Sequence, residues 1–229
     1  MRIRLCMGMG LACFVFMATA GRSEASIVTY SDRAAFQAHA VGLSTIDFQG
    51  LATPSTAFIN YGQGASLSTG GVTFTANGSS DLFANGADTY QAQYGSPFNL
   101  GEGDFLQAGN GSPAGLSIAL PGGVTALGFL LETFDSPTSG VTITLSTGDV
   151  VTIAAPAGGV TFFGFTSTVA VTALSAEITA GDRMDTLSID TVQYGAAVPE
   201  PAGLALLASG VLPIACLVLR GRRALRPVA

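Results

Sequence analysis

Between Val141 and Ser146 apolar and hydroxyl side chains alternate: Val141, Ile143 and Leu145 fall on one parity, Thr142, Thr144 and Ser146 on the other. A period of two is the signature of a half-buried strand. Ser146-Thr147-Gly148-Asp149 then reads as a hairpin turn into a second strand, Val150-Val151-Thr152-Ile153. Thr45-Ile46-Asp47-Phe48, Val72-Thr73-Phe74-Thr75 and Leu116-Ser117-Ile118-Ala119-Leu120 carry the same alternation, separated by Gly, Pro and Asn. Val124 to Leu131 is more continuously apolar, which predicts a central strand covered on both faces. In the last strand Leu187 and Ile189 share a face while Val192 and Tyr194 fall on the opposite parity, so a bulge near Asp190-Thr191 is expected. Ahead of the strands, Ser31 is placed to cap a short helix running to Ala40, with Asp32 in its first turn. Short strands at intervals of about ten residues predict an all-β fold, an antiparallel two-sheet β-sandwich of jelly-roll type with a short N-terminal helix.

Composition supports an exported β-domain. Apolar residues make up 48% and charged ones 10% of the 229 residues, yet 30 glycines and abundant Ser and Thr argue against a helical membrane protein. Between Ser26 and Ala197 the only bases are Arg33 and Arg183, against thirteen acids, a net of −11. Such a body repels phosphate backbones, which excludes nucleic acid as a partner and favours cations or neutral polymers. The chain has no lysine, so Schiff-base chemistry is excluded as well.

The two ends read as sorting segments. Arg2 and Arg4 precede an apolar run from Leu5 to Ala20, with small residues at Ala18-Thr19-Ala20 and Ser23-Glu24-Ala25, the build of a secretory signal peptide over residues 1–25. Cleavage after Ala20 or after Ala25 fits on side-chain size; Ala25 is preferred because domain-like sequence starts at Ser26. Cys6 and Cys13 lie in this leader and Cys216 in the C-terminal apolar run, so the domain over residues 26–197 has no cysteine and no disulfide. Cys13 is followed by Phe14, Val15 and Phe16 inside the apolar run, which does not suit lipidation.

At the other end, Val198-Pro199-Glu200-Pro201 leads into Ala202 to Leu219, which carries no charge, and then into Arg220, Arg222, Arg223 and Arg226. At about 1.5 Å per residue this apolar segment is long enough for a C-terminal transmembrane helix. The prolines hold Glu200 in an extended, exposed stalk, and the arginines keep the extreme C-terminus cytoplasmic. This tail, residues 198–229, resembles the PEP-CTERM sorting signal of Gram-negative bacteria that make exopolysaccharide, with Pro199, Glu200 and Pro201 matching the motif. The resemblance implies recognition by exosortase, a transpeptidase-like membrane enzyme, and transient anchoring in the inner membrane before release to the cell surface or extracellular matrix. Gly128-Phe129-Leu130-Leu131, Phe162-Phe163-Gly164-Phe165 and Ile189 to Tyr194 look like stretches common in the bodies of such proteins, which are often jelly rolls.

Candidate chemistry in the body is sparse. His39 is the only histidine and falls at the end of the expected helix, where a surface or cap-adjacent role suits it better than a base. There is no HExxH or Gly-x-Ser-x-Gly motif and no zinc-ligand cluster, so the chain is read as not an enzyme. Calcium needs only carboxylates and carbonyls on loops. Asp81, Asp88, Glu102 and Asp104 form one acidic group and Asp182, Asp185 and Asp190 another. Sugar-binding jelly rolls often hold a structural calcium through acids on an early and the final strand, a pattern that Asp47 and Asp190 match. The alternative is that these acids solvate loops and cap turns. Asn77-Gly78, Asn85-Gly86 and Asn110-Gly111 read as turns. Tyr61, Tyr90 and Tyr94, with Phe83 and Phe98, are candidates for a platform that stacks sugar rings. The reading that unites these features is a non-catalytic surface or matrix protein associated with exopolysaccharide or biofilm. Its rivals are a calcium-dependent carbohydrate-binding module and a glycoside hydrolase using paired carboxylates.

Overall fold

The structure, a computed structural model, describes residues 26–95, 100, 103–134, 140–154, 159–179 and 186–198. The expected leader, Phe98, Glu102, Asp182, Asp185 and the tail from Pro199 with its transmembrane helix lie outside them. Within the described residues the strands are β1 (Ile27–Tyr30), β2 (Ala40–Ile46), β3 (Phe58–Gln63), β4 (Ser66–Thr69), β5 (Val72–Ala76), β6 (Asp81–Asn85), β7 (Phe105–Gly109), β8 (Gly115–Ala119), β9 (Ala126–Phe134), β10 (Gly140–Leu145), β11 (Val150–Ala154), β12 (Thr161–Ser167), β13 (Ala173–Ile178) and β14 (Thr186–Ala197). Two short helices, α1 (Arg33–Ala38) and α2 (Thr89–Tyr94), accompany them.

The strands form two antiparallel sheets. The larger runs β1-β12-β9-β14-β7-β6-β3, with β2 also paired to β14; the smaller runs β11-β10-β13-β8-β5-β4. From β7 onward the chain crosses between sheets at every step except the β10–β11 hairpin, and β7-β14-β9-β12 faces β8-β13-β10-β11. That alternation is the winding of a jelly roll. The period-two pattern dictates the packing. Leu106, Leu127, Phe129, Leu131, Phe163 and Ile189 from the larger sheet meet Phe74, Leu116, Ile118, Val141, Ile143 and Leu174 from the smaller, and all are buried. Each contributes about 1.5–3 kcal/mol of burial free energy.

The expected central strand is β9, hydrogen-bonded to β12 on one side and to β14 on the other. The expected bulge is present. Between Asp190 and Gln193 strand β14 advances one residue more than its partner, which goes from Leu130 to Gly128. Thr191 sits there with φ +48°. The extra residue returns Val192 to the core beside Ile189, so the two parities of the sequence become one buried face. Beyond the bulge the partner opposite β9 changes from β7 to β2, with Ile46 opposite Val192.

The N-terminal helix differs from expectation in its ends. Asp32, not Ser31, is the N-cap, its Oδ1 accepting the Ala35 N–H at 2.7 Å, and the helix stops at Ala38 because Ala40 already begins β2. Strand pairing with β14 wins over the helical propensity of the alanines. The strand around Thr45 ends at Ile46, and Phe48 turns away with φ +55° while burying its ring against Phe74 at 5.2 Å. Phe36 seats α1 on the larger sheet over Gly128 and Gly164, a cross-strand pair. A Cβ at Gly164 would lie 3.0 Å from the Phe36 ring and 2.8 Å from Phe162, so only glycine permits this approach. Helix α2 was not expected; its short polar stretch Thr89-Tyr90-Gln91-Ala92-Gln93-Tyr94 has no helical apolar period, and Gly95 ends it at φ +66°. Among the described residues no helix is long and apolar enough to cross a membrane.

Candidate functional site

The outer faces of the two sheets differ in kind. On the larger sheet the register aligns Phe58, Asn85 and Phe105 in one row and Asn60, Phe83, Gln107, Ser188 and Glu132 in the next. Helix α2 covers the middle of this face. Tyr90 stacks on Phe105 with ring centroids 6.0 Å apart and planes at 15°. Asn85 Nδ2 donates to Gln107 Oε1 at 3.0 Å, and Gln107 Nε2 donates to the Tyr90 hydroxyl. Asn85, Gln107, Ser188 and Glu132 are all buried. Burial pushes the Glu132 carboxyl from 4.5 up to about 7.

Toward the β3 edge the cover ends. Phe58 is 53% exposed and Tyr61 37% exposed, and the Phe58 ring lies 6.3 Å from that of Phe83. Beside them Asn60 Oδ1 accepts the Gly62 N–H at 2.7 Å, closing a bulge where β3 slips against β6. The expected aromatic platform is thus split: Tyr90 is withdrawn into a packed cluster with Leu100 and Phe105, while Phe83 and Tyr61 remain at the edge. Phe58 was missed, although Phe58-Ile59-Asn60-Tyr61, an apolar and aromatic run between turns, carries the signal.

Among the described residues nothing covers the outer face of the smaller sheet, whose outward side chains are mostly Ser and Thr with interspersed Ala and Gly. Ser66, Thr75, Ser117, Ser175 and Thr144 stand in one row across β4, β5, β8, β13 and β10. Beside that row a shallow open depression of about 270 Å³ crosses the strands, with Ala119 and Ala173 among its lining residues. Asn77 organises its hydroxyls: Asn77 Oδ1 accepts from Ser117 Oγ at 2.5 Å, and Asn77 Nδ2 donates to Ser175 Oγ at 2.9 Å.

The acids do not converge. Asp47 is exposed and its Oδ1 accepts the Gln49 N–H at 3.3 Å, whereas Asp190 is fully buried with Oδ1 accepting the Thr191 N–H at 2.6 Å. Asp81 accepts from Asn110 Nδ2 at 2.9 Å and Asp88 from Ser55 Oγ at 2.8 Å. Asp104 Oδ2 accepts the N–H groups of Gly50 and Ala52 at 3.0 and 3.1 Å, tying the loop after β2 to the larger sheet. Among the described residues no group of three or more His, Cys, Asp or Glu side chains is placed to hold a metal ion. His39 is the C-cap of α1, exposed, with its Nδ1–H donating to Ala35 O at 2.8 Å. Of the Asn-Gly pairs, Asn77-Gly78 and Asn110-Gly111 lie at turns, with Gly78 at φ +57° and Asn110 at φ +61°; Asn85 instead closes β6 with a buried side chain.

These features define an all-β protein of two antiparallel sheets with one aromatic-edged and one hydroxyl-lined outer face. The sequence matches no protein-family model and no curated protein. Among solved structures the chain is similar to a mutant of CBM29-2, a family 29 carbohydrate-binding module, at 12% identity and a TM-score of 0.35, covering 60% of this chain and 84% of that one. It is also similar to a family 29 carbohydrate-binding module at 11% identity and a TM-score of 0.30, covering 67% and 89%. At TM-scores of this size the overlap says nothing about binding residues.

Proposed function

We propose that the chain is an exported, non-catalytic surface or extracellular-matrix protein that associates with neutral polysaccharide through the Phe58–Phe83 edge of its larger sheet. The observation that carries this reading is the pairing of exposed Phe58 with half-buried Phe83, flanked by Asn60 on an acidic body without lysine. Aromatic faces stack on the apolar faces of sugar rings, and a side-chain amide offers hydrogen bonds to ring hydroxyls. A glycan array run with and without calcium tests it. Binding to neutral glycans that falls on Phe58→Ala supports the reading, and absence of binding under both conditions refutes it. Calcium dependence would reopen a role for Asp47 and Asp190.

Delivery belongs to the tail. Pro199-Glu200-Pro201, the apolar segment 202–219 and Arg220, Arg222, Arg223 and Arg226 support processing by exosortase after transient anchoring in the inner membrane. Replacing Pro199, Glu200 and Pro201 with alanine leaves the protein full length in the membrane fraction on this reading; unchanged processing refutes it.

One observation favours a glycoside hydrolase: burial raises the Glu132 carboxyl to about 7, and Asp190 is its diagonal neighbour across β9 and β14. Both side chains are buried, however, so neither reaches a substrate in this structure. Hydrolysis of a polysaccharide that is lost on Glu132→Gln would establish it.

A further inference from the structure

We infer that the outer face of the smaller sheet is a second polysaccharide-contacting surface, so that the domain bridges two glycan chains from opposite sides of the sandwich. The bridging rests on the reading of the Phe58–Phe83 edge; the second surface stands on its own observations.

The first is charge. The outward positions of β4, β5, β8, β13, β10 and β11 are almost entirely Ser, Thr, Ala and Gly, and Glu177 is the one charged residue among them. Elsewhere the body is strongly acidic, and solubility alone favours mixed charges on an exposed sheet. Even Glu177 is engaged, its Oε1 accepting from Asn77 Nδ2 at 3.2 Å and from Ser175 Oγ at 3.3 Å. A surface of hydroxyls without bases suits a neutral partner rich in hydroxyls and offers nothing to an anionic one.

The second is shape and order. The depression runs across the strands, with Thr75, Ser117, Ser175 and Thr144 in one row and, in the next, Ala119 and Ala173, where the side chains are smallest, followed by Ser146. Hydroxyls in a row recur at the strand spacing of about 4.8 Å, so an extended chain lying across the sheet meets one at each strand. Asn77 holds Ser117 and Ser175, and Ser146 Oγ accepts the Thr172 N–H at 3.0 Å, so part of the rim is oriented before any ligand arrives. No aromatic ring lines the depression, and its affinity is correspondingly weak per sugar and dependent on chain length.

The test uses the full chain with a soluble neutral glucan and, as an anionic control, polygalacturonate. Affinity electrophoresis measures binding, and viscosity measures bridging. Ala119→Met fills the depression at an exposed position that tolerates the change, and Ser175→Ala removes a rim hydroxyl without bulk. Each is expected to weaken glucan binding through this face about tenfold and to abolish the viscosity increase. Phe58→Ala is expected to abolish bridging while leaving residual binding. If Ala119→Met and Ser175→Ala both bind and bridge like the parent, the second surface is overturned and the edge reading stands. If they remove all binding while Phe58→Ala behaves like the parent, the second surface stands and the edge reading falls. Equal binding to polygalacturonate overturns the argument from charge, and a parent that binds neither polymer overturns both surfaces.

Discussion

Replacing Glu132 with glutamine removes a carboxyl that the fold buries at a cost. Its side chain lies on the outer face of β9, opposite Ser188, where burial raises the carboxyl from 4.5 to about 7. A raised carboxylate pKa means that the folded state binds more protons than the unfolded state between those two values. Stability from this group is therefore greatest below pH 4.5, falls as pH rises through the window, and levels off above about pH 7. At about 1.4 kcal/mol per unit the full shift corresponds to about 3 kcal/mol. Local relaxation that lets water reach the carboxylate reduces the expected loss to about 1–2 kcal/mol. Glu132→Gln keeps the shape and cannot ionise, so it should match the parent at pH 4.5 and exceed it by that amount at pH 8. The chain has no tryptophan, so urea unfolding is best followed by far-ultraviolet circular dichroism. All other titrating groups are common to both proteins and cancel in the difference. Parallel stability profiles for parent and variant would refute the reasoning.

Other perturbations probe the remaining contacts. Asp104→Ala leaves the Gly50 and Ala52 N–H groups without their acceptor and should cost about 2–3 kcal/mol, with faster proteolysis after β2; a loss below about 0.5 kcal/mol in urea titration would contradict the assignment. Gly164→Ala forces its Cβ against Phe36 and Phe162 and should cost about 1–3 kcal/mol, read as a lower melting temperature, whereas Gly148→Ala in the hairpin meets no neighbour and pays only its backbone strain at φ +93°. Phe129→Ala, in the centre of β9, should cost about 3–5 kcal/mol in the same measurement. Phe58→Ala, by contrast, should change stability by less than about 1 kcal/mol while reducing retention on a neutral glycan, and unchanged retention would speak against the edge as a binding surface.

Much of the fold was legible because it depends on local period. The alternation at Val141 to Leu145 needs no knowledge of what lies opposite, and the parity break after Ile189 announces a bulge because a strand that buries both Ile189 and Val192 must insert a residue. The composition of the body likewise determines its charge and its lack of disulfides without reference to shape. The helix ends were less legible, since Ala40 joins β2 only because β14, remote in sequence, offers it a partner.

What tertiary structure decided is which polar and aromatic residues are reachable. Tyr90 and Phe83 look alike as candidates, and only the stacking of Tyr90 on Phe105 separates a buried ring from a half-buried one at the open edge. The acids near Asp104 resemble a loop cluster, but pairing gives Asp81, Asp88 and Asp104 separate backbone or side-chain donors. The hydroxyl row joins Ser66, Thr75, Ser117, Thr144 and Ser175, residues from five strands spread over more than a hundred positions of chain. Alternation determines that each points outward from its own strand; the registers between strands, set by long-range packing of the core, determine that they stand side by side.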